Sequence, residues 1–478
     1  MMIEIIFIYI FLSICVGLYA SRFVNNIGDF ITAGKSLPLV IILAMVFATW
    51  FGAESVLGIS ATFLEEGLSG LASDPLGASA CLILFGLFFA KPLYKANLLT
   101  LGDFFKRNYS QEVEIIISGC IIISYIGWIS AQISALGLIF FVLSEGNISE
   151  FTGIIAGAMI VLSYTLAGGM WSIAVTTFVQ MIFIVLGLVL VSMEAANLSG
   201  GVTEVIQQAN ADGKLELFPS PSFYEFFLWV AAFLTMALGS IPQQDVFQRA
   251  NAAKSERAAV WGTTLGGIFY FLFAAVPLFL AYSAFLIDPT ETARLMEQDS
   301  QLVLPTLVLN HMPFWLQVLF FGSLVSVILS TAAGTLLAPS VLFTNNVVKY
   351  FVPNISNVRL LLYTRLAIIF FTVIVIFYAV NSKIGIHEMV ENAYRVTLAG
   401  AFVPLAAGLF WSKASNFGAV LAIVFGVSSW LLLEIIKFEI PIEPQLIGLF
   451  FSLIGMIVGT YLKPSKTNAM SKREESVE

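Results

Sequence analysis

The sequence predicts an all-α polytopic membrane protein, and three observations support this fold class. Of the 478 residues, 59% are hydrophobic and 11% are charged, whereas a soluble domain carries about a quarter charged residues. Apolar runs of about 20 residues, the length that crosses a bilayer, recur along the chain. Lysine and arginine are concentrated in alternate loops between these runs. This composition excludes both a water-soluble enzyme and a disordered chain.

Thirteen transmembrane helices are predicted from the apolar runs. Six precede a long polar loop, near residues 3–21, 38–64, 72–94, 113–143, 149–167 and 170–193. Seven follow it, near residues 223–242, 258–287, 313–346, 358–381, 388–411, 416–437 and 444–462. The first run is kept as a span because Glu4 precedes it and Arg22 follows it, which is the reverse of the charge order in a cleavable signal.

The loop charges predict the orientation of these helices in a cell membrane. One set of alternate loops carries sixteen lysine and arginine residues, and the other set carries four, Lys214, Arg294, Lys383 and Lys437. Because positively charged loops stay on the cytoplasmic side, the N-terminus is predicted outside and the C-terminus inside. The same asymmetry supports the number of helices, since one missed helix would mix the two sets.

Function is predicted to lie within the helices rather than in a separate domain. The longest loops, 194–222 and 288–312, and the tail at 463–478 are too short for a catalytic module. His311 and His387 are isolated at outer loop edges, too separated for metal or acid/base chemistry. These features favour a transporter of a small organic solute, without enzymatic activity, nucleic acid or an obligatory protein partner. A transporter-derived sensor or receptor, an intramembrane enzyme and a channel are the alternatives.

Two spans carry helix-breaking sequences, the second span at mid-membrane and the seventh near its inner end. The second span contains Thr49–Glu54 (TWFGAE), and the seventh contains Gly239–Gln244 (GSIPQQ). Transporters built from inverted repeats bind solutes and ions at interrupted helices in corresponding positions, although glycine and proline can also merely kink a membrane helix. The matching breaks predict two repeats at 38–193 and 223–411, joined by an extracellular loop at 194–222. An extra helix and cytoplasmic loop at 1–37, two additional helices at 412–462 and a cytoplasmic tail at 463–478 complete the predicted organisation.

Three segments resemble signatures of the sodium:solute symporter family, which includes proline, glucose and choline carriers. They are YTLAGGMWS at 164–172, GSIPQQDVFQRANAAKSERAA at 239–259 and ILSTAAGTLLAPSVLFTNN at 328–346. Their order and helix positions match the family, so the resemblance covers nearly the whole chain. It implies a leucine-transporter-type 5+5 inverted-repeat core. It also implies sodium-coupled import of a small organic solute by alternating access, with Na⁺ as the coupling ion.

The resemblance also implies a sodium site. The matching positions are the carbonyls of Ala48, Phe51 and Val327 and the hydroxyls of Ser330 and Thr331. An unwound helix frees backbone carbonyls, which are suitable ligands for Na⁺. The alternative is that the two hydroxyls bond back to their own helix. One departure from the family is Thr177, where an aspartate is common, and it puts the usual sodium exit route in doubt.

The candidate solute-binding residues lie beside the two breaks. The segment at 75–93 resembles the choline carriers, and the resemblance places two of their aromatic cage positions at Trp50 and Trp128 and a third at Gln243, which is not aromatic. Gly52 and Glu54 complete the predicted solute site. A choline-like cation, proline and another small zwitterion remain candidate solutes, and ordinary helix packing is the alternative role for the two tryptophans.

Five further charged groups lie within or near spans, where a functional role is the alternative to a structural one. Arg365 and Arg395 are predicted to form a structural pair or to reach an interface. Asp245 and Arg249 are predicted, together with Arg257, to form a gate or a loop network at a cytoplasmic helix end rather than to bind a ligand.

Overall fold

Helices make up the regular structure of the computed structural model, which describes residues 1–219, 222–436 and 442–464. The first half contains α1 (Met2–Ala20), α2 (Ile27–Thr32), α3 (Leu39–Trp50), α4 (Ile59–Glu66), α5 (Ala78–Leu84), α6 (Ala90–Lys95), α7 (Leu101–Asn108), α8 (Gln111–Leu143), α9 (Glu150–Leu198) and α10 (Val202–Ala211). Wider π-helical turns lead into α4, α5 and α6 at Glu54–Gly58, Ala72–Gly77 and Phe85–Phe89.

The second half has the same all-helical character. It contains α11 (Phe223–Gly239), α12 (Gln244–Asn251), α13 (Glu256–Phe273), α14 (Ala275–Ile287), α15 (Pro289–Gln298), α16 (Val303–His311), α17 (Phe314–Leu342), α18 (Lys349–Phe351), α19 (Asn357–Asn381), α20 (Ile386–Ala393), α21 (Arg395–Gly400), α22 (Phe402–Phe410), α23 (Asn416–Ile436) and α24 (Pro444–Leu462). Residue 437 at the predicted end of the twelfth span, residues 220–221 of the predicted extracellular loop and most of the predicted tail, 465–478, lie outside the described residues.

The number of spans depends on how the broken helices are divided. In the described part of the chain, nine helical segments are long and apolar enough to cross a membrane, and two bent helix pairs raise the number to eleven. Glu150–Leu198 has 49 residues and a length of about 74 Å, more than twice the bilayer core, so it holds the predicted fifth and sixth spans. Glu54–Lys95 likewise holds the C-terminal half of the second span and the whole third. Dividing both segments yields the thirteen predicted helices of a multi-pass membrane protein.

The break in α9 is built on a glycine. Gly169 has φ +50° and ψ −131°, and a Cβ atom at this position would lie 2.4 Å from the carbonyl oxygen of Phe30. Arg365 donates hydrogen bonds to the carbonyls of Leu166 and Ala167 just before the break, at 3.1 and 3.4 Å. The arginine therefore caps a helix end. One of its predicted roles was to pair with a second intramembrane charge, and no such pair is formed among the described residues.

Replacing Gly169 with alanine is expected to lower the thermal stability of the purified protein. The left-handed backbone alone costs a residue with a side chain about 1–3 kcal/mol, and the collision with Phe30 adds to that. The measurement is the unfolding midpoint in detergent. Gly322→Ala is the matched control, because a Cβ atom added at Gly322 would meet no neighbouring atom within 4 Å. Equal midpoints for the two variants would contradict this account of the break.

Helix α17 forms the centre of the helical core. Every residue from Phe320 to Leu342 is buried, and the helix packs against α8, α9, α3 and α12. Helix α3 ends at the first predicted break, and helix α12 begins at the second. Because both helices pack against α17, both breaks face the same central helix. The fold therefore brings the interrupted segments together within the membrane.

The two C-terminal helices pack mainly against each other. Glycines at their contact allow a close approach; a Cβ atom on Gly418 would lie 2.3 Å from the hydroxyl of Thr460. Arg395 in α21 pairs with Glu434 of α23 at 3.6 Å, so this arginine joins the core to the additional helices. The domain boundaries drawn from the sequence stay predictions.

Candidate ion and solute site

The first predicted break is present in the second span. Helix α3 ends at Trp50, and Phe51 has φ −82° and ψ 76°, which is not helical. The chain turns helical again at Glu54. The second predicted break separates α11 from α12, whose axes differ by 43°. Each break leaves backbone N–H and C=O groups without the hydrogen-bond partners that a continuous helix would supply.

Four of the five predicted sodium ligands lie together between α3 and α17. The Ser330 hydroxyl donates to the Ala48 carbonyl at 2.5 Å and is 2.8 Å from the Val327 carbonyl. The Thr331 hydroxyl is 3.5 Å from the same Ala48 oxygen. All four residues are buried. Phe51 lies at the break, but among the described residues no side-chain hydrogen bond joins its carbonyl to this cluster.

The chemistry of this cluster suits a hard monovalent cation. Its four groups are neutral oxygen donors, two carbonyls and two hydroxyls, and the Ala48 carbonyl belongs to the last turn before a break. Ser330 bonds both to its own helix and to α3, so the predicted back-bonding and the predicted contact across helices coexist. A hydroxyl can rotate so that its lone pairs face a cation. A hydroxyl that contacts only its own helix would not be close enough to the neighbouring helix to bind a cation between the two.

The two predicted tryptophans are part of a buried aromatic box. The ring centroids of Trp50 and Trp128 are 5.5 Å apart, and Tyr394 lies 6.3 Å from the first and 5.8 Å from the second. Tyr125 stacks on Trp128 at 6.2 Å. We define the aromatic box as these four residues, each at most 2% exposed. Neither tyrosine is among the predicted site residues, because a single tyrosine in an apolar span carries no local signal.

Asp245 is buried against the aromatic box, so its predicted position in a loop network at a helix end is wrong, whereas its predicted role in a gate stays a prediction. Its side chain is fully buried and accepts hydrogen bonds from the indole nitrogen of Trp50 at 3.0 Å and the hydroxyl of Tyr125 at 2.6 Å. Arg249 lies 3.6 Å from the same carboxylate and donates to the Thr49 hydroxyl at 2.7 Å. The ion pair therefore joins the two breaks. Burial of a charged pair, which sequence position alone does not reveal, accounts for the error.

Glu54 has the partners that the sequence could not name. Its carboxylate accepts from the Trp128 indole at 2.9 Å and from the Gln132 amide at 2.6 Å, and the other end of Gln132 accepts from the Ala53 amide at 2.9 Å. The carboxylate folds back over Gly52, where a Cβ atom would lie 2.3 Å from Oε2. Gly52 is thus needed to make space for the Glu54 side chain beside the box.

Gln243 borders the box without being aromatic. Its amide nitrogen donates to the Ser124 hydroxyl at 2.8 Å, and its amide oxygen is buried without a hydrogen-bond partner in the described structure. The residue precedes α12 directly, so its side chain lies at the second break. A bound solute could supply the missing donor.

A third acidic group, which is not among the predicted site residues, lies beside the first break. Asp74 accepts hydrogen bonds from Tyr270 and from Ser55, the latter at 3.3 Å. His387 lies close enough to interact with Asp74 electrostatically and is 3.2 Å from the Ser73 hydroxyl. His387 is therefore held against the core, although its position in the chain is at a loop edge.

The region of the unusual Thr177 contains polar atoms without partners. Among the described residues, neither the Thr177 hydroxyl nor either amide atom of Gln180 has a hydrogen-bond partner, and both residues are buried. Gln180 also lines a cavity of about 120 Å³ beside Tyr9. Whether this region belongs to a sodium exit route stays a prediction.

Known proteins are similar to this chain over most of its length. The model of the sodium:solute symporter family matches residues 30–426. A high affinity choline transporter from Homo sapiens is 26% identical over 88% of this chain and 75% of its own length. A sodium/glucose cotransporter from Vibrio parahaemolyticus is 24% identical, covering 96% of this chain and 89% of its own. A sodium/proline symporter from Escherichia coli is 25% identical, with coverages of 98% and 94%.

Solved structures confirm the predicted fold. A sodium-coupled sialic acid symporter in a substrate-bound, outward-open state superposes with a TM-score of 0.83 at 17% identity, covering 97% of this chain and 98% of that one. The closed form of Mhp1, a nucleobase-cation-symport-1 family transporter, has a TM-score of 0.63 at 12% identity, with coverages of 92% and 97%. Both are symporters with the leucine-transporter-type core.

Proposed function

The chain belongs to the sodium:solute symporter family, and we propose that its sodium ion and its solute bind on either side of the break after α3. It is a transporter rather than an enzyme, and it imports a small organic solute together with sodium. In this proposal the sodium ligands are Ala48, Phe51, Val327, Ser330 and Thr331. The solute binds in the aromatic box, with Gly52, Glu54 and Gln243 at its border. A choline-like cation, proline and another small zwitterion are the candidate solutes.

One observation supports coupling between the proposed sodium site and the proposed solute site. The carbonyl of Ala48 meets the Ser330 hydroxyl, and Trp50, two residues later, is a wall of the aromatic box. An ion bound to the Ala48 carbonyl would therefore hold the unwound segment that positions the indole. Sodium would stabilise the conformation that binds solute, and solute would stabilise the one that binds sodium, as reciprocal coupling requires.

The energy of one sodium ion is sufficient for concentrative uptake. One positive charge that enters down a membrane potential of about 100 mV supplies about 2.3 kcal/mol. A tenfold sodium gradient adds about 1.4 kcal/mol, so one ion could support an accumulation of several hundred-fold. A channel, in contrast, would only equilibrate the solute.

The proposed cycle moves the two repeats around this site. Residues 38–193 and 223–411 would rock relative to each other, alternately exposing the site to the outside and to the cytoplasm. We place the N-terminus outside and the C-terminus in the cytoplasm of a cell membrane, in accordance with the loop charges.

Replacing Trp128 with leucine is expected to weaken solute binding by about 2- to 30-fold while sodium affinity stays unchanged. The reason is the loss of an aromatic face, which is worth about 0.5–2 kcal/mol toward an ammonium group. The measurement is uptake of radiolabelled choline and proline into proteoliposomes with an imposed inward sodium gradient. Trp128→Phe keeps a ring and should retain more of the affinity.

The control for this variant is Trp430→Leu, which removes a tryptophan from α23, outside the core. Its uptake should match that of the unmodified protein. Unchanged solute affinity in Trp128→Leu would place the solute elsewhere, and equal uptake with and without sodium for a broad solute panel would refute the proposed coupling.

A further inference from the structure

The amide groups at the start of the outer half-helix are already occupied by the chain itself. The Ala53 amide donates to Gln132 Oε1 at 2.9 Å, and the Glu54 carboxylate accepts from its own backbone amide. The amides of Gly52 and Ser55 donate to backbone carbonyls at 3.0 and 3.1 Å. In transporters of this architecture such helix starts face anionic groups of the substrate, because their free amides and the helix dipole attract negative charge. Here no amide of this first turn is free to bind a substrate carboxylate.

The side chain of Glu54 occupies the position that a substrate carboxylate would take. It lies directly over Gly52 at the break and accepts a hydrogen bond from Trp128, a wall of the aromatic box. It also lies close enough to Tyr394, another wall, to interact with it electrostatically. A solute carrying its own carboxylate would therefore bring a second negative charge next to Glu54 in a buried environment, where like charges repel strongly.

Not every acidic group around the box is paired with a cation. Asp245 is paired with Arg249, whereas no lysine or arginine in the described structure forms an ion pair with Glu54. Asp74, which also faces Glu54, adds a second negative charge, and no lysine or arginine in the described structure forms an ion pair with it; the basic side chain near it is His387. A buried carboxylate of this kind is stabilised by a positively charged partner.

The box offers the remaining contacts that a small cation needs. Its rings provide faces that attract an ammonium group. Tyr394 is 1% exposed, and its buried hydroxyl has no hydrogen-bond partner in the part of the chain that is described, so it can bond a polar group of the solute. Both features point to a ligand rather than to packing alone, because a buried hydroxyl is normally paired.

We infer that the solute is a small organic ammonium cation that carries no carboxylate, and that Glu54 is the residue that determines this specificity. The inference rests on the proposed function, which places the solute in the aromatic box. It selects among the candidates: a choline-like cation fits, and an amino acid such as proline does not.

Two matched pairs of solutes test the inference on the unmodified protein. Choline and glycine betaine share a trimethylammonium group, and prolinol and proline share a pyrrolidinium ring; in each pair only the second member has a carboxylate. Binding is measured as competition with radiolabelled choline, or with radiolabelled prolinol if choline does not bind, at saturating sodium on purified protein in nanodiscs. The carboxylate-free member should bind at least tenfold more tightly in both pairs. Equal or tighter binding of betaine and proline would overturn the inference.

A variant then assigns the selectivity to Glu54. Glu54→Gln should reduce the preference within each pair to less than threefold, whereas Glu54→Asp should retain it. Glu65→Gln removes the same charge from the exposed end of the same half-helix and should leave the preference unchanged. A preference that survives in a folded Glu54→Gln variant would contradict the assigned role.

The same binding assay separates failure of the inference from failure of the proposed function. Sodium-stimulated binding that favours the carboxylate-bearing members would overturn the inference alone. Sodium-dependent stabilisation without binding of either ammonium cation would also overturn it and leave the ion site standing. Ammonium binding that is independent of sodium would instead refute the proposed coupling and leave the solute class standing.

Discussion

Removing the hydroxyls of Ser330 and Thr331 together is expected to abolish sodium-driven accumulation of solute. Each hydroxyl is a neutral oxygen donor beside the Ala48 carbonyl, and alanine supplies no replacement. A hydrogen-bond-like contact to a charged group is worth about 1.5–3 kcal/mol. The loss of one ligand should therefore weaken the sodium affinity by roughly 10- to 100-fold, and the loss of two ligands should weaken it further. The measurement is the sodium concentration that gives half-maximal uptake in proteoliposomes.

The matched control removes the same two functional groups from the same helix. Thr335→Ala with Ser340→Ala deletes two buried hydroxyls of α17 that bond back to their own helix. This variant should keep the sodium dependence of the unmodified protein. A double Ser330 and Thr331 variant that accumulates solute with unchanged sodium dependence would move the ion site away from α17.

Replacing Arg249 with methionine is expected to destabilise the protein by about 3–5 kcal/mol. The arginine is 1% exposed and lies 3.6 Å from the fully buried Asp245, so its removal leaves a buried carboxylate without a cation. Methionine keeps most of the volume, which separates the loss of charge from the creation of a cavity. The measurement is the free energy of unfolding of purified protein in detergent.

A double variant tests whether the charge pair causes this loss. Asp245→Asn with Arg249→Met removes both charges and should recover at least about 1 kcal/mol of the single-variant loss, because no unpaired charge remains. Arg294→Met breaks an exposed pair with Glu291 and should change stability little. If the double variant is less stable than Arg249→Met alone, the pair is not the source of the effect.

Two carboxylates, Asp245 and Glu54, orient side chains of the aromatic box. Asp245 receives hydrogen bonds from Trp50 and Tyr125, and Glu54 receives one from Trp128. Each indole of the box is therefore oriented by a different carboxylate, one from each interrupted span. This arrangement links the geometry of the proposed solute site to the relative position of the two breaks.

The amino-acid sequence by itself determined the membrane class, the helical spans and the two breaks. Hydropathy over about 20 residues and the positions of glycine and proline are local properties, so a window of sequence contains the physics that decides them. The ligand set around Ser330 followed from the resemblance to a family, and four of its five members do meet. The division at Gly169 was also predicted, since the fifth and sixth spans, 149–167 and 170–193, meet there.

Only the tertiary structure decided which side chains meet at the breaks. Tyr125, Asp245 and Tyr394 come from α8, α12 and the turn between α20 and α21, and each is far from Trp50 in sequence. Their convergence depends on the packing of helices around α17, a long-range geometry that no local pattern encodes. For the same reason, Asp245 looked like a residue of a cytoplasmic helix end until packing placed it, fully buried, against the indole of Trp50.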